Sequence, residues 1–208
     1  MSDVDALTQL VLRERQGRDR GWWTQMRECF AHDATIRLSW FEGTADEFIA
    51  GSQAMAARGD QASHRLSPPV VHVMGDRAVV ELPMIVEFRT VIDDVEADLA
   101  SMGRLLYRAA WRDDRWRIVR MDAIYQRDTL APSIPGTPLH VSAEDLAGFR
   151  PAYRLLAYHL SRRGYTIGSD LYGDDRPAEV DTLYRATFEW ARASLGAATG
   201  GRAPGAVR

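Results

Sequence analysis

From His64 to Tyr125 the chain repeats one pattern: runs of β-branched and aromatic residues closed by short polar turns. Residues 70–74 and 78–89 are such runs, separated by Gly75-Asp76, a hairpin signal. Asp93-Asp94 marks a further turn, and Asp113-Asp114-Arg115 separates residues 103–112 from 116–125. Ala78, Val80, Leu82, Met84, Val86 and Phe88 fall on one face by two-residue alternation. Strands joined by turns this short run antiparallel. An antiparallel meander with one apolar face must be covered, and the segments before it are the available cover.

Those segments read as helices. Val4, Leu7, Val11 and Leu12 recur at helical spacing over residues 3–19. At about 100° per residue, Arg15 and Asp19 project onto the same apolar side, so this helix turns an acid inward near its end. Gly21 interrupts the pattern, and Trp22, Met26, Cys29 and Phe30 make a second, shorter stripe. Ile36, Leu38 and Trp40 alternate with Arg37, Ser39 and Phe41 as a strand would, with Gly43 ending it. Thr44-Ala45-Asp46-Glu47 is a capping-box signature, opening a third helix that should stop at Arg58-Gly59. Helices first and a meander second argue for an α+β fold.

Pro132, Pro135 and Pro138 punctuate the chain after the last strand. Beyond them a short helix is expected to open at Ser142-Ala143-Glu144-Asp145, and longer ones over residues 151–163, closed by Gly164, and 181–193. The expected organisation is an α+β domain over residues 1–132, a helical extension over 133–195 and a Gly- and Ala-rich disordered tail over 196–208. The extension could pack as an appendage or embrace a second subunit.

Composition excludes several chemistries. All basic residues are arginine, so a Schiff-base lysine, a phosphate-loop lysine and a Ser-Lys dyad are impossible. The net charge of −3 offers no basic excess for a phosphate backbone, which speaks against nucleic acid as a partner. Cys29 is the only cysteine, so no intrachain disulfide can form and a reducing compartment fits. The first residues lack the basic and apolar regions of a signal peptide, and no apolar run is long enough to span a bilayer. The expectation is a soluble, cytoplasmic protein without a membrane partner. No His, Cys or carboxylate group of residues has convincing metal spacing, so neither a metal nor a cofactor is expected.

Asp19 and His64 are the candidate catalytic pair. A histidine near its ordinary pKa of about 6.5 can accept a proton at neutral pH, and a carboxylate on its other ring nitrogen fixes the tautomer. Asp19 is equally placed to cap the second helix or to pair with Arg18 or Arg20. His64 could instead be a surface residue after Ser63. His72 reads as decoration of a sheet, and His32-Asp33 as the end of a helix. Trp22 and Trp40 are candidates to face a cavity. Asp122, alternating with Ile118 and Ile124, could be a second acid on a buried face or could pair with Arg104 or Arg120.

The series Arg18-Asp19-Arg20-Gly21-Trp22, Phe30-Ala31-His32-Asp33-Ala34, Phe41-Glu42-Gly43, His64, Gly75-Asp76-Arg77-Ala78, Gly103-Arg104 and Trp116-Arg117-Ile118 resembles the SnoaL-like branch of the nuclear transport factor 2-like superfamily. The resemblance covers roughly residues 4–130. It implies a cone-shaped α+β barrel, in which a strongly bent antiparallel sheet is covered by three N-terminal helices and encloses a pocket, with the C-terminal helices lying outside the family core. Members include scytalone dehydratase, hexachlorocyclohexane dehydrochlorinase, polyketide cyclases, ketosteroid isomerases, non-catalytic binding proteins and dioxygenase β subunits. The dehydratase and dehydrochlorinase members use an Asp–His dyad, which Asp19 and His64 match in position. Trp40 matches an aromatic pocket position, and Leu105 stands where a tyrosine is common. The resemblance implies a cofactor-independent lyase acting by dehydratase-like elimination on a small hydrophobic or polycyclic molecule, in a homo-oligomer. An isomerase or polyketide-type cyclase, a non-catalytic binding or assembly module, and a dioxygenase-type β subunit are the alternatives. The substrate contacts it suggests are Trp22, Trp40, Leu105 and Asp122.

Overall fold

A computed structural model describes residues 2–60 and 62–195. The predicted tail, 196–208, lies outside the described residues. Helix α1 (Asp3–Arg20) begins at a capping box in which Ser2 and Asp5 satisfy each other's backbone N–H groups. It ends where Gly21 takes the left-handed conformation at φ 68°, which a side chain would disfavour. α2 (Trp23–Cys29) follows at once and runs directly into β1 (Phe30–Leu38). β1 begins earlier than its alternation suggested, so His32 and Asp33 lie within the strand rather than at a helix end. It stops short of Trp40, which sits in the turn leading to β2 (Phe41–Thr44). α3 (Ala45–Ala57) starts at the predicted Thr44–Glu47 capping box and ends just before Gly59.

The sheet follows: β3 (Ser63–Leu66), β4 (Val70–Met74), β5 (Arg77–Ile92), β6 (Val95–Arg112) and β7 (Arg115–Pro132). Asp93-Asp94 and Asp113-Asp114 form the two-residue turns around β6, all four at positive φ between 48° and 64°. That is the conformation tight hairpins need, and aspartate tolerates it better than most residues. The strand order is β2-β1-β7-β6-β5-β3, with β4 beside β5, and the path is curved and unclosed. One pairing departs from the expected all-antiparallel sheet: β1 runs parallel to β7. Such a pair needs a long crossover, and helices and strands between residues 38 and 115 supply it.

β7 is not a simple alternating strand. Ala109 pairs with Ile118 but Arg108 pairs with Arg120, which leaves Val119 as an extra residue. Gln126 is extra in the same way, opposite the step from Met102 to Gly103. A Cβ at residue 103 would come within 2.5 Å of the Ile124 carbonyl oxygen, so only glycine fits this bulge. Each bulge exchanges the two faces. Ile118, Met121, Ala123 and Tyr125 therefore all face the main core, while Ile124 faces the opposite side.

The main core lies between the concave face of the sheet and the helices. The predicted face of β5 is buried throughout and packs there with Leu7, Val11, Met26, Phe48 and Ile49. After β7 come α4 (Ala143–Leu146), α5 (Arg154–Arg162), β8 (Tyr172–Gly173) and α6 (Pro177–Arg192). α5 places Leu156, Ala157 and Leu160 in the main core. α6 covers the other face, where Val180, Leu183 and Ala191 pack on Val79, Leu106 and Ile124. No helix among the described residues is long and apolar enough to cross a membrane.

Candidate functional site

The inward stripe of α1 changes character along its length. Leu7 and Val11 are apolar, but Glu14, Arg15 and Arg18, the next positions on that face, are charged and buried. They meet a cavity of about 50 Å³, bounded by Arg15, Arg18 and His64 at one side. Apolar side chains of the sheet and α3 make most of the remaining wall, including Met55, Met84, Val86, Phe88 and Leu105. Leu156 and Leu160 of α5 close it.

The structure brings Asp19 and His64 together, with His64 on this wall. The last turn of α1 presents Asp19, and the first residues of β3 present His64. His64 Nδ1–H donates to Asp19 Oδ1 at 2.6 Å, and the His64 backbone N–H donates to Asp19 Oδ2 at 2.8 Å. Asp19 therefore holds the edge of β3 instead of capping α2, whose N-terminus has no side-chain cap. Both side chains are largely shielded, at 17% and 8% exposed. Burial alone would raise the Asp19 pKa, but the hydrogen bonds and charge of His64 outweigh it and hold the carboxyl below its ordinary value. Burial also lowers the His64 pKa. Asp19 opposes that and Arg15 adds to it, and the result lies below the ordinary histidine value. The imidazole is therefore neutral at pH 7, with its proton on Nδ1 and a lone pair on Nε2.

Nε2 looks toward Arg15, whose Nη1 lies 3.5 Å away, at the outer limit of a hydrogen bond. Arg15 is itself held by a fork onto Glu14. Its Nε donates to Oε2 at 2.5 Å and its Nη2 donates to Oε1. Tyr107 adds a hydroxyl donor to the same carboxylate at 3.2 Å. Burial would push the Arg15 pKa down, but the Glu14 carboxylate overrides it and raises it, so the guanidinium stays charged. Arg18 has no such fork. Its Nη2 points to the Met55 sulfur at 3.6 Å, and burial followed by the Arg15 charge lowers its pKa to about 10.

Trp40 and Leu105 line the cavity. Trp40 is packed against Phe41, Phe48 and Tyr165, and its turn is fixed by Tyr125, whose hydroxyl oxygen accepts the Ser39 N–H at 2.8 Å. Trp22 and Asp122 are not brought to it. Trp22 precedes α2 with 51% of its surface exposed. Asp122 was placed on the face of Ile118 by strict alternation, and the bulge at Val119 puts it on the opposite face. There its carboxylate is forked by Arg120 at 2.7 and 2.8 Å. His72 packs on the Phe188 ring, consistent with decoration of the sheet. Glu14, Arg18, Tyr125, Leu156 and Leu160 were missed by sequence reasoning. The first two carry a legible signal, since residues 7, 11, 14 and 18 follow the four-three-four spacing of one helical face. Cys29 is buried and its thiol pKa is pushed up to about 12, which leaves it no nucleophilic character at neutral pH. No group of His, Cys, Asp and Glu among the described residues could hold a metal.

Among solved structures, the putative scytalone dehydratase of Novosphingobium aromaticivorans is similar at a TM-score of 0.50 and 16% identity, covering 67% of this chain and 89% of that one. A hexachlorocyclohexane dehydrochlorinase (LinA) type 2 is similar at 0.52 and 12%, covering 66% and 94%. These likenesses concern the fold. Two fungal proteins are 27% identical: the uncharacterized protein AN9274 of Emericella nidulans and the PEP2-like protein NECHADRAFT_97050 of Fusarium vanettenii. Each match covers 83% of this chain, and 79% and 78% of the respective relative. The model of the SnoaL-like domain matches residues 1–122, the span that holds the three N-terminal helices and most of the sheet, and on that match the chain belongs to the SnoaL-like domain family.

Proposed function

We propose that this protein is a cofactor-independent lyase that carries out a dehydratase-like elimination on a small, largely apolar molecule, with Asp19 and His64 as its catalytic dyad. The observation that carries the reading is the 2.6 Å hydrogen bond between Asp19 and His64 Nδ1 at the wall of the cavity. In the reaction, His64 Nε2 takes a proton from a substrate carbon. The electron pair of that C–H bond becomes the new C=C bond, and the group on the neighbouring carbon departs with its own bonding pair. Asp19 stabilises the imidazolium, which then returns its proton to the leaving hydroxide as water. Apolar walls keep bulk water from the base.

A cavity of about 50 Å³ is smaller than the roughly 150 Å³ that accommodates benzene, so even a compact substrate needs the α5 wall to give way, and a polycyclic one more so. The same proton abstraction would begin an isomerisation or a cyclisation, and the reading is tested at that shared step. Replacement of His64 by Ala should abolish turnover of hydroxy-acid or hydroxy-ketone substrates found by screening, while thermal unfolding stays cooperative. Undiminished turnover would remove the dyad from the mechanism. Ligand binding without turnover in the wild type, unchanged by His64→Ala, would favour a binding module. The proposal extends to a homo-oligomer in the cytoplasm, checked by light scattering and by localisation of the tagged chain.

A further inference from the structure

Four charges of α1 gather near the cavity: Arg15 and Arg18, which line it, and Glu14 and Asp19, whose partners Arg15 and His64 line it. They sum to zero, but their hydrogen-bonding capacity does not balance. Glu14 is forked onto Arg15, and Asp19 accepts both hydrogen bonds of His64. Arg18 is left over. It is 3% exposed and lines the cavity, and its Nη1 has no hydrogen-bond partner among the described residues. Its Nη2 has a thioether sulfur, a weak acceptor. A buried guanidinium without an oxygen partner is costly to keep.

We propose that Arg18 is the specificity-determining residue of this cavity and that the substrate is a small apolar acid whose carboxylate rests on Arg18. This rests on the cavity being the site of the elimination proposed above, and it names the substrate class. A planar fork of N–H groups matches the two oxygens of a carboxylate, and charge assistance makes those bonds strong. The lowered pKa of Arg18, about 10, still leaves it charged at neutral pH, and an entering anion would raise it. The rest of the wall, from Leu38 through Met84, Val86 and Phe88, offers apolar contact to the body of the molecule. Arg18 and His64 line the same cavity, so a carboxylate held on Arg18 keeps the molecule in the compartment that His64 borders.

The test compares acids with their uncharged amides. Crotonate and crotonamide, then benzoate and benzamide, are titrated at neutral pH by calorimetry, with the change in tryptophan fluorescence as a second readout. The wild type should bind each acid at least about ten-fold more tightly than its amide. In Arg18→Met this preference should vanish, with amide binding unchanged and the ligand-free melting temperature equal to or above that of the wild type. His64→Gln should keep the preference. Equal affinity for acid and amide in the wild type, binding of neither, or retention of the preference in Arg18→Met would overturn the proposal. Where Arg18→Met fails to fold, Arg18→Gln takes its place, since it keeps a polar side chain without the charge and should likewise lose the acid preference. Turnover that survives in His64→Gln, with the acid preference intact, would sink the dyad and leave the role of Arg18 standing.

Discussion

Asp19 uses its two carboxylate oxygens on two different parts of His64: Oδ1 on the ring and Oδ2 on the backbone N–H. The residue that orients the imidazole therefore also fixes the strand that carries it. Asp19→Asn keeps one acceptor but loses the charge, and its amide can present a donor to the ring, which favours the wrong tautomer. We expect kcat to fall by about 10²- to 10⁴-fold, with a stability loss of about 1 kcal/mol. Turnover and urea unfolding measured on the same preparation would separate the two effects. Equal losses of activity and folded population would contradict a catalytic role.

The pH dependence of turnover follows from the state of His64. Its pKa is lowered by burial, with Asp19 opposing and Arg15 reinforcing the shift, and in the proposed elimination the neutral form takes the proton. The acid limb of kcat/KM should therefore have its midpoint below about 6.5, with a plateau through neutrality. A midpoint above that value would mean that the ring is held in its charged form.

Stability should also fall in acid, through His159. This ring is buried against Phe88 at 4.8 Å, and burial, followed by the Arg163 charge, lowers its pKa to about 4. A histidine with a depressed folded pKa binds its proton more readily when unfolded. Its stabilising contribution is complete above about pH 6.5 and is lost as the pH falls toward 4. The loss between pH 7 and pH 4.5 should be roughly 2–3 kcal/mol for this group. Denaturation midpoints at the two pH values should converge in His159→Leu, apart from the share due to other groups.

Glu14 and Arg15 form a pair with 0% and 3% of their side chains exposed. Glu14→Gln leaves the guanidinium without its counter-charge and should cost about 3–5 kcal/mol. The double variant Glu14→Gln, Arg15→Met removes both charges and should recover most of that loss. Calorimetric melting of the single and double variants checks this. Additive losses would mean that the pair is not coupled.

Asp128 caps α5 from outside the helix. Its carboxylate accepts the Leu156 N–H at 2.8 Å, while burial raises its pKa. Asp128→Ala should cost about 0.5–2 kcal/mol and loosen the helix that closes the cavity. Faster hydrogen exchange confined to α5, with wider acceptance of bulky ligands, is the expected signature.

Much of the fold was legible because its determinants are local. The Thr44–Glu47 capping box, the Gly75-Asp76 hairpin and the apolar face of β5 each depend on residues a few positions apart. The inward projection of Asp19 was legible from helical spacing, although which partner it would choose was not. Features that depend on distant segments were hidden. The parallel seating of β1 on β7, and the insertion of Leu156 and Leu160 into the cavity wall, are decided by packing across the whole chain. Asp122 was misplaced for a more specific reason: strict alternation assumes one residue per step, and nothing in the local composition announces the extra residue at Val119.

That extra residue has a consequence for any attempt to regularise the strand. Deleting Val119 would leave Ile118, Met121, Ala123 and Tyr125 on the side they now occupy, because the remaining sequence alternates without it. What would vanish is the local bend. A flatter sheet would wrap less closely around the side chains it now encloses, so the shape of the hollow depends here on a length of chain rather than on the kind of residue it holds.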